Sequence, residues 1–313
     1  MIVLISAMAA SLPAYPAELL LGTREVGTFS NFAGQTLCRV LSGPPGGLAC
    51  RTVPSQDAVN SLTNLSGGSL DLCLIDSEVL LEAVSRTGRF EFLGMAYDNL
   101  RFLLPVYPVP ISLVVRQDAG IANLQDILGK RINAGLPGSQ QNRVFRRVMS
   151  AQGWSREDFA LFEELPSGSS EESMAFCHET IQALIHVGIH PDPWLASLFG
   201  RCPAGLVGLE GREGAPVMEA SPAYGAVEAR IDRYPGHGGR MRTVGTTVVL
   251  AASEDLEPQT VSVILESLQA DQEGLRSVHP ALSGFRVRAA DPGDGRFRLH
   301  SGAQEYFRGR GSD

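Results

Sequence analysis

At 313 residues, with 44% hydrophobic and 19% charged content, the chain can bury a core large enough for two domains and is too apolar for a disordered polymer. A net charge of −8, with no Lys/Arg cluster interleaved with aromatics, argues against nucleic acid as a partner.

Met1–Ala10 (MIVLISAMAA) is an apolar run of signal-peptide length, followed by small residues and by Pro13 and Pro16. Cleavage near Ala9, Ala10 or Ala14 suits small-residue preferences, although the charged n-region is missing and the first basic residue is Arg24. Residues 1–17 are therefore read as a signal peptide, and no other run is apolar over the length that spans a bilayer. The expectation is export and release into the periplasm.

Glu18–Gly22 predicts a strand that enters the loop Thr23–Ser30. Asn31–Leu41 predicts a helix with Phe32, Leu37, Val40 and Leu41 inward. Ala49–Val53 is a second strand, Ser55–Leu65 a helix capped by Ser55 and stopped at Gly67-Gly68, and Leu70–Ile75 a third strand ending in Asp76-Ser77-Glu78. Glu78–Ser85 is helical. Such alternation predicts an α/β fold with a largely parallel sheet, in which ligands sit beyond the carboxyl ends of strands.

Ile111–Arg116 is apolar and β-branched without alternation, as a strand covered on both faces should be. Ala122–Leu128 predicts a short helix capped by Asn123, Lys130–Ala134 a strand, and Leu136–Ser139 a turn. A helix then begins, with Val144, Phe145, Val148 and Met149 on one face. Further on, Glu171–Cys177 is a helix, Thr180–Val187 a strand, Pro191–Leu198 the start of a helix and Gly205–Leu209 a strand. Gly211–Tyr224 reads as irregular. Thr243–Ala252 is strongly β-forming and resembles Ile111–Arg116 in character, so the two are candidate paired crossovers between domains. Gln259–Leu268 closes the regular pattern as a helix.

Five cysteines fall at 38, 50, 73, 177 and 202. In an oxidising compartment Cys38 with Cys50 and Cys177 with Cys202 are candidate disulfides, and Cys73 a buried thiol. Five reduced core cysteines is the competing arrangement.

Several short motifs appear in a fixed order: Gly22-Thr23 with Cys38-Arg39; Leu70-Asp71-Leu72 after Cys50; Tyr107-Pro108-x-Pro110; Leu113-Val114-Val115-Arg116; Leu128-Gly129-Lys130-Arg131-Ile132-Asn133; and Pro137-Gly138-Ser139. His190-Pro191, Tyr234-x-Gly236, His279-Pro280-Ala281 and Leu299-His300-x-Gly302-Ala303-x-x-Tyr306 continue the order. No motif is specific by itself, but the ordered set over Leu20–Arg308 resembles the TAXI family of substrate-binding proteins that serve TRAP transporters. The resemblance implies an α/β, two-lobed periplasmic-binding-protein fold of type II, each lobe a mixed, mostly parallel sheet flanked by helices. On this reading lobe I is 18–112 plus 249–313 and lobe II is 113–248, with hinge strands near 111–116 and 243–252. It further implies carriage of a small carboxylate, of amino-acid or dicarboxylate type, to TRAP membrane subunits, and it supports the two cysteine pairings; the chain is expected to be a monomer. A ligand sensor of the same fold, acting on a membrane signalling partner, is the alternative.

The pocket loops depart from the family. Arg24-Glu25 and Ser30-Asn31 replace a glycine-rich loop ending in tyrosines, Ser55-Gln56-Asp57-Ala58 replaces Thr-Gly-Gly-Ser, Asp76-Ser77-Glu78 replaces Gln-Ser-Asp, and Gln140 replaces a glycine. Candidate ligand contacts are Thr23, Arg24, Thr28, Ser30, Asn31, Ser55, Asp76 and Ser77 from the first lobe, with Tyr107, and Pro137, Gly138, Ser139, Gln140, His190 and Tyr234 from the second. Hydroxyls at helix starts suit a carboxylate, yet each also suits capping its own helix. Arg24 is either a carboxylate partner or a solvated surface arginine, and Asp76 either faces a ligand amine or caps a helix. His186 and His190 have i,i+4 spacing but no following Glu, so no metal is expected, and no cofactor. No Ser/His/Asp set, paired catalytic carboxylates or phosphate loop emerges, so the chain is not read as an enzyme.

Overall fold

The computed structural model describes residues 18–288 and 297–309; the expected signal peptide, residues 1–17, lies outside them. From the start of that range strand and helix alternate: β1 (Leu19–Arg24), α1 (Phe29–Ser42), β2 (Cys50–Ser55), α2 (Ala58–Ser66), β3 (Leu72–Asp76) and α3 (Ser77–Ser85). The long β4 (Leu100–Arg116) follows. The middle of the chain contributes β5 (Arg131–Asn133), α4 (Gln140–Gln152), β6 (Leu161–Glu163), α5 (Ser170–Cys177), β7 (Ala183–Val187), α6 (Pro193–Phe199), β8 (Ala204–Gly208), α7 (Ala215–Ala220) and β9 (Gly225–Arg230). The last part holds β10 (Arg240–Ser253), α8 (Pro258–Ala270), α9 (Gln272–Val278) and α10 (Ser301–Arg308).

The strands line up as β2-β1-β3-β10-β4-β7-β5-β6, with β8 also on β4 and β9 on β10. At one end β2, β1 and β3 are parallel; at the other β6, β5 and β7 are parallel. Between them β4 and β10 run antiparallel to each other. β4 belongs to both ends: Leu100–Pro110 pairs with β10, and Ile111–Arg116 pairs with β7 and β8. Its prolines at 105, 108 and 110 donate nothing to a ladder, and the register with β10 shifts twice, between Val248 and Val249 and between Leu250 and Ala251. Where the two strands cross, Gly245 is required. A Cβ there would sit 2.4 Å from the Val109 carbonyl oxygen.

Four apolar clusters cover both ends of the sheet on both faces. Leu21, Leu37, Leu250, Ile264 and Leu265 pack under α1 and α8, while Leu62, Leu80, Phe90 and Phe102 fill the opposite face under α2 and α3. In the second half, Ile132, Phe145, Val148 and Phe162 lie under α4, and Phe176, Leu184, Leu195 and Leu198 under α5 and α6. Strands buried on both faces explain why Leu72–Ile75 and Leu113–Val115 are continuous apolar runs. Cys38–Cys50 ties α1 to β2, and Cys177–Cys202 ties the end of α5 to the approach to β8, each contributing about 3 kcal/mol by restricting the unfolded chain. Cys73 is a fully buried free thiol.

The structure differs from the sequence expectations at several places. Asp57, not Ser55, caps α2, because the Ser55 hydroxyl turns onto the backbone of Asp57 two residues on. Phe32 is 41% exposed, not inward, since it sits on the face of α1 turned to an open cleft. The segment 122–128 forms only a single 3-10 turn, Leu124–Ile127, although Asn123 caps it as expected. Gly211–Tyr224, read as irregular, contains α7, and β9 comes after it as an edge strand on β10.

Candidate functional site

Helix starts define the site. A cleft of about 630 Å³ opens beyond the carboxyl ends of β1, β3 and β7. Its lining includes the first residue of α1 (Phe29), of α2 (Ala58) and of α4 (Gln140), together with the α3 cap Asp76. The partial positive charge and free N–H groups of these starts favour an anion. β7 and the chain into α6, from His186 to Pro193, form the facing wall.

Among the described residues, one cation lines the cleft. Arg24, the last residue of β1, is exposed, and its guanidinium has no hydrogen-bond or ion-pair partner among those residues. Its backbone N–H donates to Ser30 Oγ at 3.1 Å, which holds the loop after β1 against α1. Thr28 caps α1, accepting from Asn31 N–H at 3.3 Å and donating to the Glu25 carbonyl at 2.7 Å. Tyr107, on β4, shares a hydrogen bond with Ser30 and packs edge-on against Phe29, with ring centroids 4.9 Å apart. Burial raises its phenol well above the ordinary tyrosine range, so it stays neutral.

Two carboxyls of the described residues line the cleft. Asp76 Oδ1 accepts from Glu78 N–H at 2.9 Å, and Oδ2 accepts from Thr246 on β10 at 2.5 Å. Burial, opposed by the Thr246 hydrogen bond and aided by the Glu78 charge, pushes its pKa up to about 6. Asp192 caps α6, accepting from Leu195 N–H at 2.9 Å.

The imidazoles present are neutral. Burial lowers the pKa of His186 to about 4, and its buried Nε2 has no hydrogen-bond partner among the described residues. His279 is lowered by burial as well, and its Nδ1 accepts from Ala281 N–H, which leaves the proton on Nε2. With Phe29 and Phe32 it forms an aromatic wall, the Phe29 and His279 centroids being 4.5 Å apart. Leu74, Val79, Val109, Ile189 and Val248 complete a largely apolar surface.

Of the residues singled out in the sequence, the cleft brings together Arg24, Thr28, Ser30, Asp76, Tyr107 and Gln140. The others lie behind it. Thr23 and Asn31 are buried and bonded to each other at 3.0 Å, supporting the Arg24 loop. Ser55 is bonded to its own turn. Ser77 is fully buried, donating to the Ala223 carbonyl at 3.1 Å and accepting from Thr247 N–H at 3.2 Å. Pro137 and Gly138 form the turn into α4, and Ser139 caps it through Asn142 N–H at 3.1 Å. His190 is buried between Ser112 Oγ and Tyr234 OH, each 2.7 Å from a ring nitrogen, and Tyr234 OH also accepts from Asp192 N–H at 2.6 Å. Both nitrogens of His190 are thus engaged, and no group of three His, Cys, Asp or Glu able to hold a metal occurs among the described residues. The sequence does not single out His186, Asp192, Phe29 or His279 as ligand contacts. His186 and Asp192 flank the His190-Pro191 pair, and that neighbourhood is the available signal.

The two halves also meet beside the cleft. Glu78 on α3 accepts from Arg147 on α4 at 2.6 Å and from Tyr224 OH at 2.8 Å, and the Arg147 guanidinium lies 5.1 Å from the Tyr224 ring centroid. Gln140, in the cleft, begins the same helix that carries Arg147.

A family model described as NMT1-like matches residues 22–311. Among solved structures the chain is similar to a TctC solute-binding protein from Polaromonas, at 13% identity and a TM-score of 0.53, covering 81% of this chain and 84% of that one. It is similar to a periplasmic sulfonate-binding protein, SsuA, of a putative ABC transporter from Methylobacillus flagellatus, at 12% identity and a TM-score of 0.50, covering 83% and 69%. A probable amino-acid ABC transporter extracellular-binding protein from Bacillus subtilis matches at 12% identity and a TM-score of 0.50, covering 82% and 92%. At these identities the likeness is one of fold, and the fold is the two-lobed α/β architecture of periplasmic solute-binding proteins.

Proposed function

Since the chain belongs to the NMT1-like family, we propose that it is an extracytoplasmic solute-binding protein that captures a small carboxylate between its lobes and delivers it to a membrane transporter. The observation that carries this reading is Arg24, a cation without a partner among the described residues, in a cleft lined by the starts of α1, α2 and α4. The lobes we assign are 18–112 with 249–313 and 113–248, hinged where β4 and β10 pass between them. Closure of the hinge buries the ligand, and docking on the permease releases it.

The membrane partner we favour is a TRAP-type permease driven by an ion gradient, on the ordered resemblance to the TAXI family. Export to the periplasm as a monomer, after removal of residues 1–17, fits two disulfides in the structure. Binding chemistry is all the cleft needs. Its polar groups position and neutralise a ligand, and Ser112 beside His190 is fully buried, out of reach of a substrate.

Isothermal titration and thermal shift on purified protein, against a panel of mono- and dicarboxylates with and without amino groups, test the reading. Saturable binding that Arg24→Gln weakens about tenfold or more supports it. Folded protein silent to the whole panel sinks it. Uptake in vesicles holding TRAP subunits, dependent on an ion gradient and on this protein, tests the partner.

A further inference from the structure

The charges in the cleft restrict the carboxylate further, a step that rests on the reading above. A dicarboxylate brings two negative groups and needs two positive partners in a partly desolvated site, or else leaves one charge uncompensated. Among the described residues the lining offers one cation, Arg24, and already holds two carboxyls, Asp76 and Asp192. The imidazoles of His186 and His279 carry no compensating charge, since burial keeps both neutral. A second ligand carboxylate would find no further side-chain cation in the described lining and would add to the negative charge of Asp76 and Asp192.

Asp76 accepts one hydrogen bond on each oxygen, and each oxygen has capacity for another. Arg24 ends β1 and Asp76 ends β3, two adjacent parallel strands, and both line the cleft. Opposite charges on neighbouring strand ends match a ligand whose own opposite charges share one carbon. The rest of the lining is dominated by the Phe29, Phe32 and His279 wall and the aliphatic surface around Val79, Ile189 and Val248, with Thr28, Ser30, Tyr107 and Gln140 as its uncharged polar groups beside the unpartnered His186 Nε2.

We propose that the ligand is a zwitterionic amino acid with an apolar side chain, its carboxylate on Arg24, its ammonium on Asp76 and its side chain against the aromatic wall.

The test is a titration series on the wild-type protein that removes one ligand group at a time. L-leucine and L-phenylalanine are compared with 4-methylpentanoate and 3-phenylpropanoate, which lack the amine, with 2-phenylethylamine, which lacks the carboxylate, and with L-glutamate and succinate. Loss of either charged group should weaken binding about 10- to 100-fold, and both dicarboxylates should bind more weakly than leucine or phenylalanine. In Asp76→Asn the leucine affinity should fall to near that of 4-methylpentanoate, with the latter almost unchanged. The proposal is overturned if glutamate or succinate binds most tightly, or if removing the amine costs nothing; in both cases the solute-binding reading still stands. Silence of every compound overturns both readings. The wild-type ligand series decides the matter even if Asp76→Asn, at a helix cap, folds poorly.

Discussion

Glu78 and Arg147 meet at 2.6 Å across the join between the two halves, and Tyr224 shares the same carboxylate at 2.8 Å. Glu78 retains 10% of its side-chain exposure and Arg147 29%, so the pair is only partly screened by water. With Ser77 bonded to the Ala223 carbonyl one residue earlier, the start of α3 is fastened to the opposite half at two successive positions.

Glu78→Gln leaves Arg147 without a counter-charge and should cost about 1–3 kcal/mol in urea denaturation. Arg147→Met added to it should recover part of that loss. If the two changes add independently, the pair does not couple the halves.

His186 gives the fold an acid sensitivity whose sign is fixed. Its folded pKa of about 4 lies below the unfolded value near 6.5, so the unfolded state binds the proton first. Stability from this group is present above about pH 6.5 and is lost as pH falls towards 4. His190, lowered to about 3 by burial and by the His186 field, adds a loss of the same sign that continues to lower pH. Asp76, raised to about 6, acts in the opposite sense over an overlapping window. The difference between wild type and His186→Leu isolates one group: the variant should lose less stability than wild type between pH 7 and pH 5. Parallel curves would rule the mechanism out.

Leucine affinity should also depend on pH through Asp76. A ligand ammonium lowers the Asp76 pKa in the complex, so binding is tightest above about pH 6 and weakens about tenfold per unit below it. The charged and titratable groups acting on or titrating against Asp76 are Glu78 on its own helix, Arg89, Tyr107 on β4 and Tyr224 from the other half, and Arg24, His186, Asp192 and His279 share the cleft with it. Among these the two phenols stay neutral throughout that range, burial raising both. Titrations at pH 5, 6 and 7.5 check the slope, and Asp76→Asn should flatten it.

Gly245→Ala would place a methyl 2.4 Å from the Val109 carbonyl and 2.9 Å from Pro110 Cα, both backbone atoms. Relief requires β4 and β10 to move apart at their crossing. The expected cost is about 1–3 kcal/mol, and, with the proposed hinge at these strands, ligand affinity should change as well. Unchanged melting and unchanged affinity would show that the crossing has slack.

The parts of this fold governed by neighbours along the chain are legible in the sequence alone. Asn123 caps the turn Leu124–Ile127, and Leu72–Ile75 and Leu113–Val115 are continuous apolar runs because both faces are covered. Ser55 and Asp57 show the limit, since two good capping residues stand two apart and only their backbone angles decide between them. Phe32 shows another: an apolar residue at helical spacing faces a cleft as well as it faces a core. Arg24, Thr28, Ser30 and Asp76 are legible as site candidates because they end strands or start helices. His279 is not, because it reaches Phe29 from a remote part of the chain. Ser77, His190 and Tyr234 carry the right chemistry for a site, but their partners, Ala223, Ser112 and Asp192, are fixed by packing between distant segments.

Cys73 occupies β3 between β1 and β10, and burial drives its thiol pKa up to about 12. Exchange with a disulfide needs a thiolate that can reach it, so the folded protein holds its free thiol in a form that cannot attack Cys38–Cys50 or Cys177–Cys202. Scrambling is therefore confined to chains that have not yet inserted β3 into the sheet. The same isolation turns Cys73 into a reporter: an alkylating reagent added to native protein marks only molecules in which β3 has left its place, and the labelling rate counts those openings.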